Sequence, residues 1–217
     1  MAKTGFSAGE AIKFGWQETK NNFWKFSALF VGIFIIATIL SVALNALQGN
    51  NSAEYMMMNL IATIFNIFIS IGIITITLRI YNKKPFDFFD LFANVHLILK
   101  YFGASILFGL IVFLGCLFFI IPGIILAIRM QFFAYIMVDQ QLGPIEALKK
   151  SAEITKSCTF SLFLFGILLI IINLCGMFVL GIGLLASFPT TLLAMAYVYK
   201  KLSTEDLIDF EEPAINQ

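Results

Sequence analysis

The sequence has few of the side chains that carry out chemistry. It contains one histidine, His96, and three cysteines, Cys116, Cys158 and Cys175, and these never form a CxxC pair or a Cys/His cluster. No Walker loop is present, and no GxGxxG motif follows a strand to open a helix. Zinc sites, redox dithiols and base–nucleophile pairs need such groupings. We therefore expect no enzymatic activity, no metal site and no cofactor.

Charge is equally scarce. Only 12% of the residues are charged, whereas about a quarter are charged in a soluble domain. Apolar residues make up 60% of the chain, 25 residues are phenylalanine, and the mean hydropathy is +0.93. Such a chain cannot cover itself with a polar surface, so it needs lipid as part of its solvent. The composition predicts an all-α polytopic membrane protein whose 217 residues form one membrane domain.

Long apolar runs locate the membrane spans. A spanning helix needs about 20 apolar residues, and turn-forming residues such as Pro122-Gly123 and Gly181 to Gly183 divide the apolar regions. The pattern predicts six spans in a single domain, 1–202, at about 26–47, 59–80, 101–121, 124–138, 159–180 and 183–201. The remaining segment, 203–217, is acidic and is expected to be a solvated cytoplasmic tail.

The positive residues occur in alternate loops. Short loops on the cytoplasmic side of a membrane are enriched in lysine and arginine. The segments before span 1, between spans 2 and 3, between spans 4 and 5, and after span 6 contain Lys3, Lys13, Lys20, Lys25, Arg79, Lys83, Lys84, Lys100, Lys149, Lys150, Lys156, Lys200 and Lys201. This distribution predicts a multi-pass cell-membrane protein with both termini in the cytoplasm. Arg129 is left inside a span.

A weak internal repeat accompanies the spans. Glu10-Ala-Ile-Lys13 recurs as Glu146-Ala-Leu-Lys149, and Asp90 to Lys100 has the same acid-to-lysine spacing as Glu10 to Lys20. One helical stripe in each copy is mostly apolar or small: Ile12, Trp16, Thr19; Phe92, His96, Leu99; and Leu148, Ala152, Thr155. The pattern predicts three parallel units, with an interfacial amphipathic helix before spans 1, 3 and 5 and a two-span hairpin after each.

Arg129 is the candidate site residue. An arginine in mid-span costs at least about 2.5–3.5 kcal/mol on insertion scales, so a compensating partner is expected. The candidate protein partners are side-chain amides and carbonyls freed near Pro122; the amides are Asn45, Asn66, Asn173 and Gln131. Two interpretations remain open. Arg129 cross-links the helices through such groups, or it faces a cavity and holds an anion, for which a lipid phosphate is the best fit.

The second span carries a polar stripe. Asn59, Thr63, Asn66 and Ser70 follow one another at i, i+4, i+7 and i+11. Polar and small residues on a membrane helix usually hold neighbouring helices together. A water-lined face is the alternative interpretation, and it would suit a transporter or a channel.

Several segments resemble a known family. Ile121-Pro-Gly-Ile-Ile-Leu-Ala-Ile-Arg129, Val138-Asp139 and Leu142-Gly-Pro-Ile-Glu-Ala-Leu148 are similar to the bacterial membrane domain found beside some glycerophosphoryl diester phosphodiesterases. Related stand-alone, poorly characterised integral membrane proteins share this signature, whose turn residues here are Pro122, Gly123, Asp139, Gly143, Pro144 and Glu146. The resemblance implies a bacterial inner membrane. The enzymatic label does not transfer, because a single His96 cannot supply the clustered metal ligands of a phosphodiesterase.

These observations favour a non-enzymatic integral membrane protein, an accessory or scaffold module that binds phospholipid between its helices. Its expected partners are membrane lipids and other membrane proteins, and not nucleic acid. The alternative is a transporter or channel for a small solute or a lipid.

Overall fold

The computed structural model describes residues 6–46, 52–178 and 183–215, and for 45, 46, 52 and 205–215 it describes the backbone alone. Within these ranges the chain is helical and contains no strand, which confirms the all-α class. The α-helices are α1 (Ala8–Asn21), α2 (Phe23–Ala46), α3 (Ser52–Tyr81), α4 (Ile98–Phe118), α5 (Ile120–Met130), α6 (Phe133–Gln140), α7 (Pro144–Ile154), α8 (Thr159–Phe178) and α9 (Leu184–Ile215). Two 3₁₀ helices, Phe88–Phe92 and Val95–Leu97, join α3 to α4.

Five segments of the described chain are long and apolar enough to cross a membrane: Phe23–Leu44, Ala53–Tyr81, Phe88–Phe118, Ile120–Gln140 and Thr159–Phe178. The protein is therefore a polytopic membrane protein. The sixth predicted span falls on α9, which is not among the five. Pro189, Thr190 and Thr191 interrupt the apolar part of α9, and Lys200 and Lys201 follow it, so its mean hydropathy is lower. The helix continues to Ile215, through most of the segment predicted as a solvated tail.

The turn between the third and fourth spans lies earlier than the sequence predicts. The break comes at Phe119, whose extended backbone separates α4 from α5. Pro122 lies in the first turn of α5, where its missing N–H leaves no hydrogen bond unmade. Gly123 faces back onto α4, and a Cβ at this position would meet Cys116 N at 2.7 Å. The glycine therefore lets α4 and α5 pack with their backbones in close contact.

The fourth span is two helices rather than one. α5 ends at Met130 and α6 begins at Phe133, with Gln131 and Phe132 between them. The Phe132 N–H, which the break leaves without a helical partner, donates to Ser151 Oγ at 3.0 Å. A side chain from α7 therefore satisfies the broken backbone, as irregular backbone at membrane depth requires.

The segments that precede spans 1, 3 and 5 are not equivalent. α1 and α7 are helices with one buried and one exposed face. The middle segment consists of the two short 3₁₀ helices where the repeat predicted an α-helix. In α1 the buried residues are Ala11, Gly15 and Thr19, so two of the three predicted positions are shifted by one residue. In the last copy the predicted Leu148 and Thr155 are buried, together with Ala147, Ser151 and Ile154.

These buried stripes reveal a closed ring of contacts. The segment before each predicted hairpin packs on the helix, or pair of helices, that ends another predicted unit: α7 on α5 and α6, the 3₁₀ segment on α3, and α1 on α9. In the last contact Gly15 touches the Thr190 carbonyl, and Thr190 Oγ1 donates to Thr19 Oγ1 at 3.1 Å. In the middle contact Asn94 Nδ2 donates to Thr75 Oγ1 at 2.9 Å. The three units therefore close on themselves within one chain.

The core lies inside this ring. Its largest fully buried side chains are apolar or aromatic, and they are Tyr199, Phe26, Phe132, Phe165, Ile71, Ile76, Leu97, Ile136, Met137, Leu162, Leu193 and Val198. By contrast, α2 is largely exposed, with 6% of its most apolar window buried. The first half of α3, 53–66, is likewise exposed or half-buried throughout. α2 and this half of α3 therefore bury few side chains, and we call residues 53–66 the projecting half of α3.

Candidate functional site

Arg129 binds the surface helix α7. Its Nη2 donates to the carbonyl oxygen of Ala152 at 2.9 Å. The backbone carbonyl of Arg129 accepts a hydrogen bond from Ser151 Oγ at 3.0 Å, and Thr155 Oγ1, whose single proton it shares with the Ser151 carbonyl at 2.7 Å, lies 2.8 Å from it. The side chain and the backbone carbonyl of Arg129 are therefore both hydrogen-bonded to the last part of α7. This geometry corresponds to the cross-linking interpretation of Arg129.

The guanidinium lies where a helix attracts a cation. Ala152 is in the last turn of α7, and the final carbonyls of a helix carry partial negative charge without a helical donor. Arg129 Nη2 supplies the missing donor. Its Nε is buried and has no hydrogen-bond partner within the described residues. The hydrogen bonds of the candidate amide partners go to other groups.

Those amides lie apart from one another. Asn66 is exposed on α3, and its Nδ2 donates to the Ala62 carbonyl of the same helix at 2.8 Å. Asn173 joins two helices, because its Nδ2 donates to the Leu169 carbonyl of α8 and to Thr191 Oγ1 of α9. Gln131 is half-buried at the break between α5 and α6. The side chain of Asn45 is outside the described part of the chain.

Asp139 is a second polar centre, at the opposite end of the fourth span from the Phe119 turn. Lys200 Nζ lies 2.7 Å from Asp139 Oδ1 and 2.8 Å from Oδ2, and Tyr199 O–H donates to Oδ2 at 2.8 Å. Gln140 Nε2 donates to Tyr199 Oη and to Ser203 Oγ, each at 3.3 Å. These bonds fix the end of α6 to α9.

Asp139→Asn is expected to lower the free energy of unfolding by about 1.5–3 kcal/mol, as for hydrogen bonds to charged groups. Asparagine keeps the shape of the side chain but removes the charge opposite Lys200, and both side chains are about 20% exposed (19% and 20%). Chemical unfolding in detergent measures the change. Lys200→Met, alone and combined with Asp139→Asn, completes a double-mutant cycle. A coupling energy near zero would contradict the assigned ion pair.

The other residues of the family signature build local turns. Gly143 is the N-cap of α7, Pro144 is its first residue, and Glu146 Oε2 accepts from the Gly143 N–H at 3.2 Å. A carboxylate in the first turn also favours the positive end of the helix. Pro122 and Gly123 lie in the first turn of α5. These positions have structural explanations.

A polar pocket opens at the end of the molecule where Arg79, Lys84 and Lys200 are found, which we call the lysine-rich end. Its volume is about 400 Å³. It is an open depression lined by the C-terminal end of α3, the loop after it, the 3₁₀ segment and the end of α6, through Thr75, Leu78, Arg79, Asn82, Lys84, Pro85, Asn94, Val138 and Asp139. Most of these groups are polar, in a chain whose surface is otherwise mostly apolar.

The end of α3 positions the two cations of this pocket. Lys83 has a positive φ of 54°, and the Lys84 N–H donates to the Arg79 carbonyl, so the chain turns back on itself after Tyr81. Arg79 Nη1 is 2.9 Å from Asp90 Oδ1, and the Arg79 side chain stays 40% exposed. Lys84 is exposed and makes no ion pair within the described residues. Both cations therefore retain donors for a ligand.

A chain of hydrogen bonds fixes the opposite wall of the polar pocket. His96 Nε2 is 2.9 Å from Gln141 Oε1, and Gln141 Nε2 donates to Asn94 Oδ1 at 3.2 Å. Asn94 then donates to the buried Thr75. Gln141 has the left-handed φ of 57° that ends α6. The 3₁₀ segment, α3 and α6 are thus held at a fixed separation around the pocket.

Sequence reasoning missed this pocket. It used Arg79 and Lys84 as loop charges that orient the chain and gave them no ligand. The available signal was the Lys83-Lys84-Pro85 helix stop, five residues before Asp90, which pairs with Arg79. Across the described residues, no three His, Cys, Asp or Glu side chains come together as a group that could hold a metal ion.

Comparison with known proteins provides relatives of undefined function. No protein-family model matches the chain, and no solved structure matches it. The chain is 25% identical, over an alignment 246 positions long with its gaps, to uncharacterised proteins of Mycobacterium tuberculosis and Mycobacterium bovis. The alignments cover 99% of this chain and 74% of each relative. The similarity extends over nearly the whole membrane domain, and the relatives' names assign no activity.

Proposed function

We propose that this polytopic membrane protein is a non-enzymatic accessory module that binds the phosphate of a phospholipid headgroup in the polar pocket. The observation that carries the proposal is the pair of cations in that pocket, Arg79 and Lys84, which keep unused donors beside the polar groups of Asn82 and Asn94. Phosphate is the anion that a guanidinium and an ammonium bind well together.

The position of the pocket agrees with this ligand. Arg79 ends the apolar part of α3, so the pocket lies at the depth where a membrane changes from hydrocarbon to headgroup. The distribution of lysine and arginine predicts that this end is cytoplasmic, the side on which basic pockets between helices meet anionic headgroups. The remaining acid of the pocket, Asp139, is neutralised by Lys200 and does not compete for the two cations.

Arg129 has a different role in this proposal. Its guanidinium is bonded to the Ala152 carbonyl and its backbone carbonyl to Ser151 and Thr155. A residue committed to α7 in this way supports a structural cross-link. The lipid-binding role therefore passes from Arg129 to Arg79 and Lys84.

Transport is the weaker candidate. The interior of the described bundle is filled by large side chains such as Tyr199, Phe132 and Ile136, which are fully buried. A water-lined path would need polar groups through this centre. Asn59 and Asn66 instead line an open groove between α2 and the first half of α3, away from this packed centre. The resemblance to the membrane domain that accompanies some phosphodiesterases also favours an accessory role beside other membrane proteins.

The test is native mass spectrometry of the protein extracted with its own lipids. Wild-type protein is expected to retain a phospholipid, and the double variant Arg79→Gln with Lys84→Gln is expected to bind it at least about tenfold more weakly, since two charge-assisted contacts are worth roughly 1.4 kcal/mol or more together. Lys83→Gln is the matched control, because Lys83 is adjacent and exposed but does not line the pocket.

The control separates local binding from general attraction to anionic lipid. If Lys83→Gln removes as much lipid as the double variant does, the attraction belongs to the whole lysine-rich end, and the pocket has no special role. If the double variant retains the lipid of the wild type, phosphate binding at Arg79 and Lys84 is excluded.

A further inference from the structure

The projecting half of α3 buries no side chain in the described part of the chain, and α2 lies across an open groove from it. Residues 53–66 are exposed or half-buried, whereas most residues from 67 to 80 are buried. In the projecting half, Asn59, Thr63 and Asn66 are exposed. Exposed amides are unusual on a membrane span, because lipid tails provide no hydrogen-bonding groups. We therefore expect this half of the helix to contact a group that can form hydrogen bonds, and not lipid tails alone.

The polar side chains are spaced as a helix–helix seam. Asn59, Thr63, Asn66 and Ser70 follow at intervals of four, three and four residues. This is the spacing of alternate core positions in a left-handed pair of helices, which cross at about 20° in membranes as in coiled coils. A single straight stripe of this kind contacts one neighbouring helix along its length.

Within the described residues, each of the two amide side chains uses only part of its hydrogen-bonding capacity. Asn59 Nδ2 donates to the Tyr55 carbonyl at 2.9 Å, and Asn66 Nδ2 donates to the Ala62 carbonyl at 2.8 Å. Thr63 and Ser70 bond in the same way to the carbonyls four residues earlier. A hydroxyl is satisfied by such a bond, but each amide retains its oxygen and a second N–H. Asn59 and Asn66 thus each offer one donor and one acceptor.

Asn59 and Asn66 form part of the wall of a groove. It lies between α2 and the projecting half of α3 and has a volume of about 340 Å³. Asn59 and Asn66 line one wall with Tyr55, and Ser41 and the small Ala37 line the wall from α2. Small residues allow another helix to approach closely. The groove is open, and the chain supplies no helix to fill it within the described residues.

We infer that the Asn59–Asn66 face of α3 binds the same face of a second copy of this chain. A two-fold axis along the membrane normal keeps each residue at its own depth, so Asn59 meets Asn59 and Asn66 meets Asn66. An amide is both donor and acceptor, so a symmetric pair satisfies both groups on each side. A lipid tail has neither group, and an unrelated helix would need matching amides at both depths.

This inference is independent of the phosphate site. The polar pocket is built from the C-terminal end of α3, whereas Asn59 and Asn66 lie in its N-terminal half. The dimer therefore leaves both polar pockets open. Either proposal can fail without affecting the other.

Stepwise photobleaching of single molecules in liposomes tests the inference. The full chain carries one fluorophore and is reconstituted over a series of protein-to-lipid ratios. Wild-type protein is expected to pass from one bleaching step to two as the ratio rises. Asn59→Leu combined with Asn66→Leu is expected to raise the dimer dissociation constant at least about tenfold, since four interhelical hydrogen bonds are lost.

Two further variants control for the change in polarity. Asn59→Gln combined with Asn66→Gln retains the amides and is expected to stay within about threefold of the wild type, because glutamine has the same donor and acceptor. Thr38→Val removes an exposed polar group of α2 that does not line the groove, and it is expected to leave the dissociation constant unchanged. A wild type that gives one step at every ratio, or a dimer equally stable in the leucine variant, would overturn the inference.

Discussion

Replacing Gly15 with leucine is expected to separate α1 from α9 and to lower the free energy of unfolding by about 3 kcal/mol, the upper part of the range for overpacked sites. A Cβ on Gly15 would collide with the Thr190 carbonyl and lie 3.2 Å from Ala194 N. Both are backbone groups, so no side-chain rotation relieves the collision. Detergent-based unfolding followed by circular dichroism gives the size of the loss.

Gly9→Leu provides the control on the same helix. Gly9 is exposed in the first turn of α1, and a Cβ added to it would have Ser7 Oγ, at 3.9 Å, as its nearest neighbour. The substitution therefore makes the same chemical change without touching α9, and it removes a glycine from a helix, which is favourable by up to about 1 kcal/mol. Equal destabilisation by the two variants would show that α1 does not depend on its contact with α9.

Arg129→Gln is expected to release the end of α7. Glutamine is too short to reach the Ala152 carbonyl, so the last turn of α7 loses its donor and the protein loses about 1.5–3 kcal/mol, as for other hydrogen bonds to charged groups. The bonds from Ser151 and Thr155 to the Arg129 carbonyl survive, because they involve only its backbone. Hydrogen exchange should therefore rise in the last turn of α7 before it rises in α5.

The lipid content of the same variant distinguishes the two interpretations of Arg129. If Arg129 is a cross-link and the phosphate site is the polar pocket, Arg129→Gln retains the wild-type amount of phospholipid in native mass spectrometry. Loss of the lipid, with unchanged exchange in α7, would make Arg129 the anion site. Arg129→Lys gives a useful intermediate, because lysine retains the charge without the planar, forked donor.

The helices could be predicted from the sequence because hydropathy and length are properties of single segments. The break at Phe119 could not, since Pro122-Gly123 is equally acceptable as a turn or as the first turn of a helix. The structure places it in the helix because Gly123 packs on Cys116. The position of the break depends on contacts with a neighbouring helix, so it could not be predicted from the local sequence alone.

The buried face of α1 shows a similar limit. The apolar pattern favours Ile12 and Trp16, but the structure buries Ala11 and Gly15. Small residues lie against α9 because they allow two backbones to approach, whereas Trp16 remains 46% exposed. Apolar periodicity reports which face avoids water. It does not report which face meets another helix in a membrane protein, where lipid also accepts large apolar side chains.

The candidate site is only partly accessible to sequence reasoning. The sequence marks Arg129 as a residue in need of a partner, and it offers amide side chains for that role. The partner in the structure is a backbone carbonyl, a group that every residue carries, so composition could not indicate Ala152. The polar pocket was missed because its cations are separated from Asn94 and Asp139 along the chain and meet only in the folded structure.

The contact between α1 and α9 has a consequence for synthesis in the cell. Thr19 and its partner Thr190 are 171 residues apart. At about 5–20 residues per second, a ribosome needs roughly 9–34 s to make the chain between them. During that interval α1 has emerged without the helix that covers Ala11 and Gly15, and the hairpins made first are held by an open arc of contacts. Until α9 is made, the small buried face of α1 therefore remains without its partner helix, and we expect the nascent chain to be more sensitive to proteolysis during that interval.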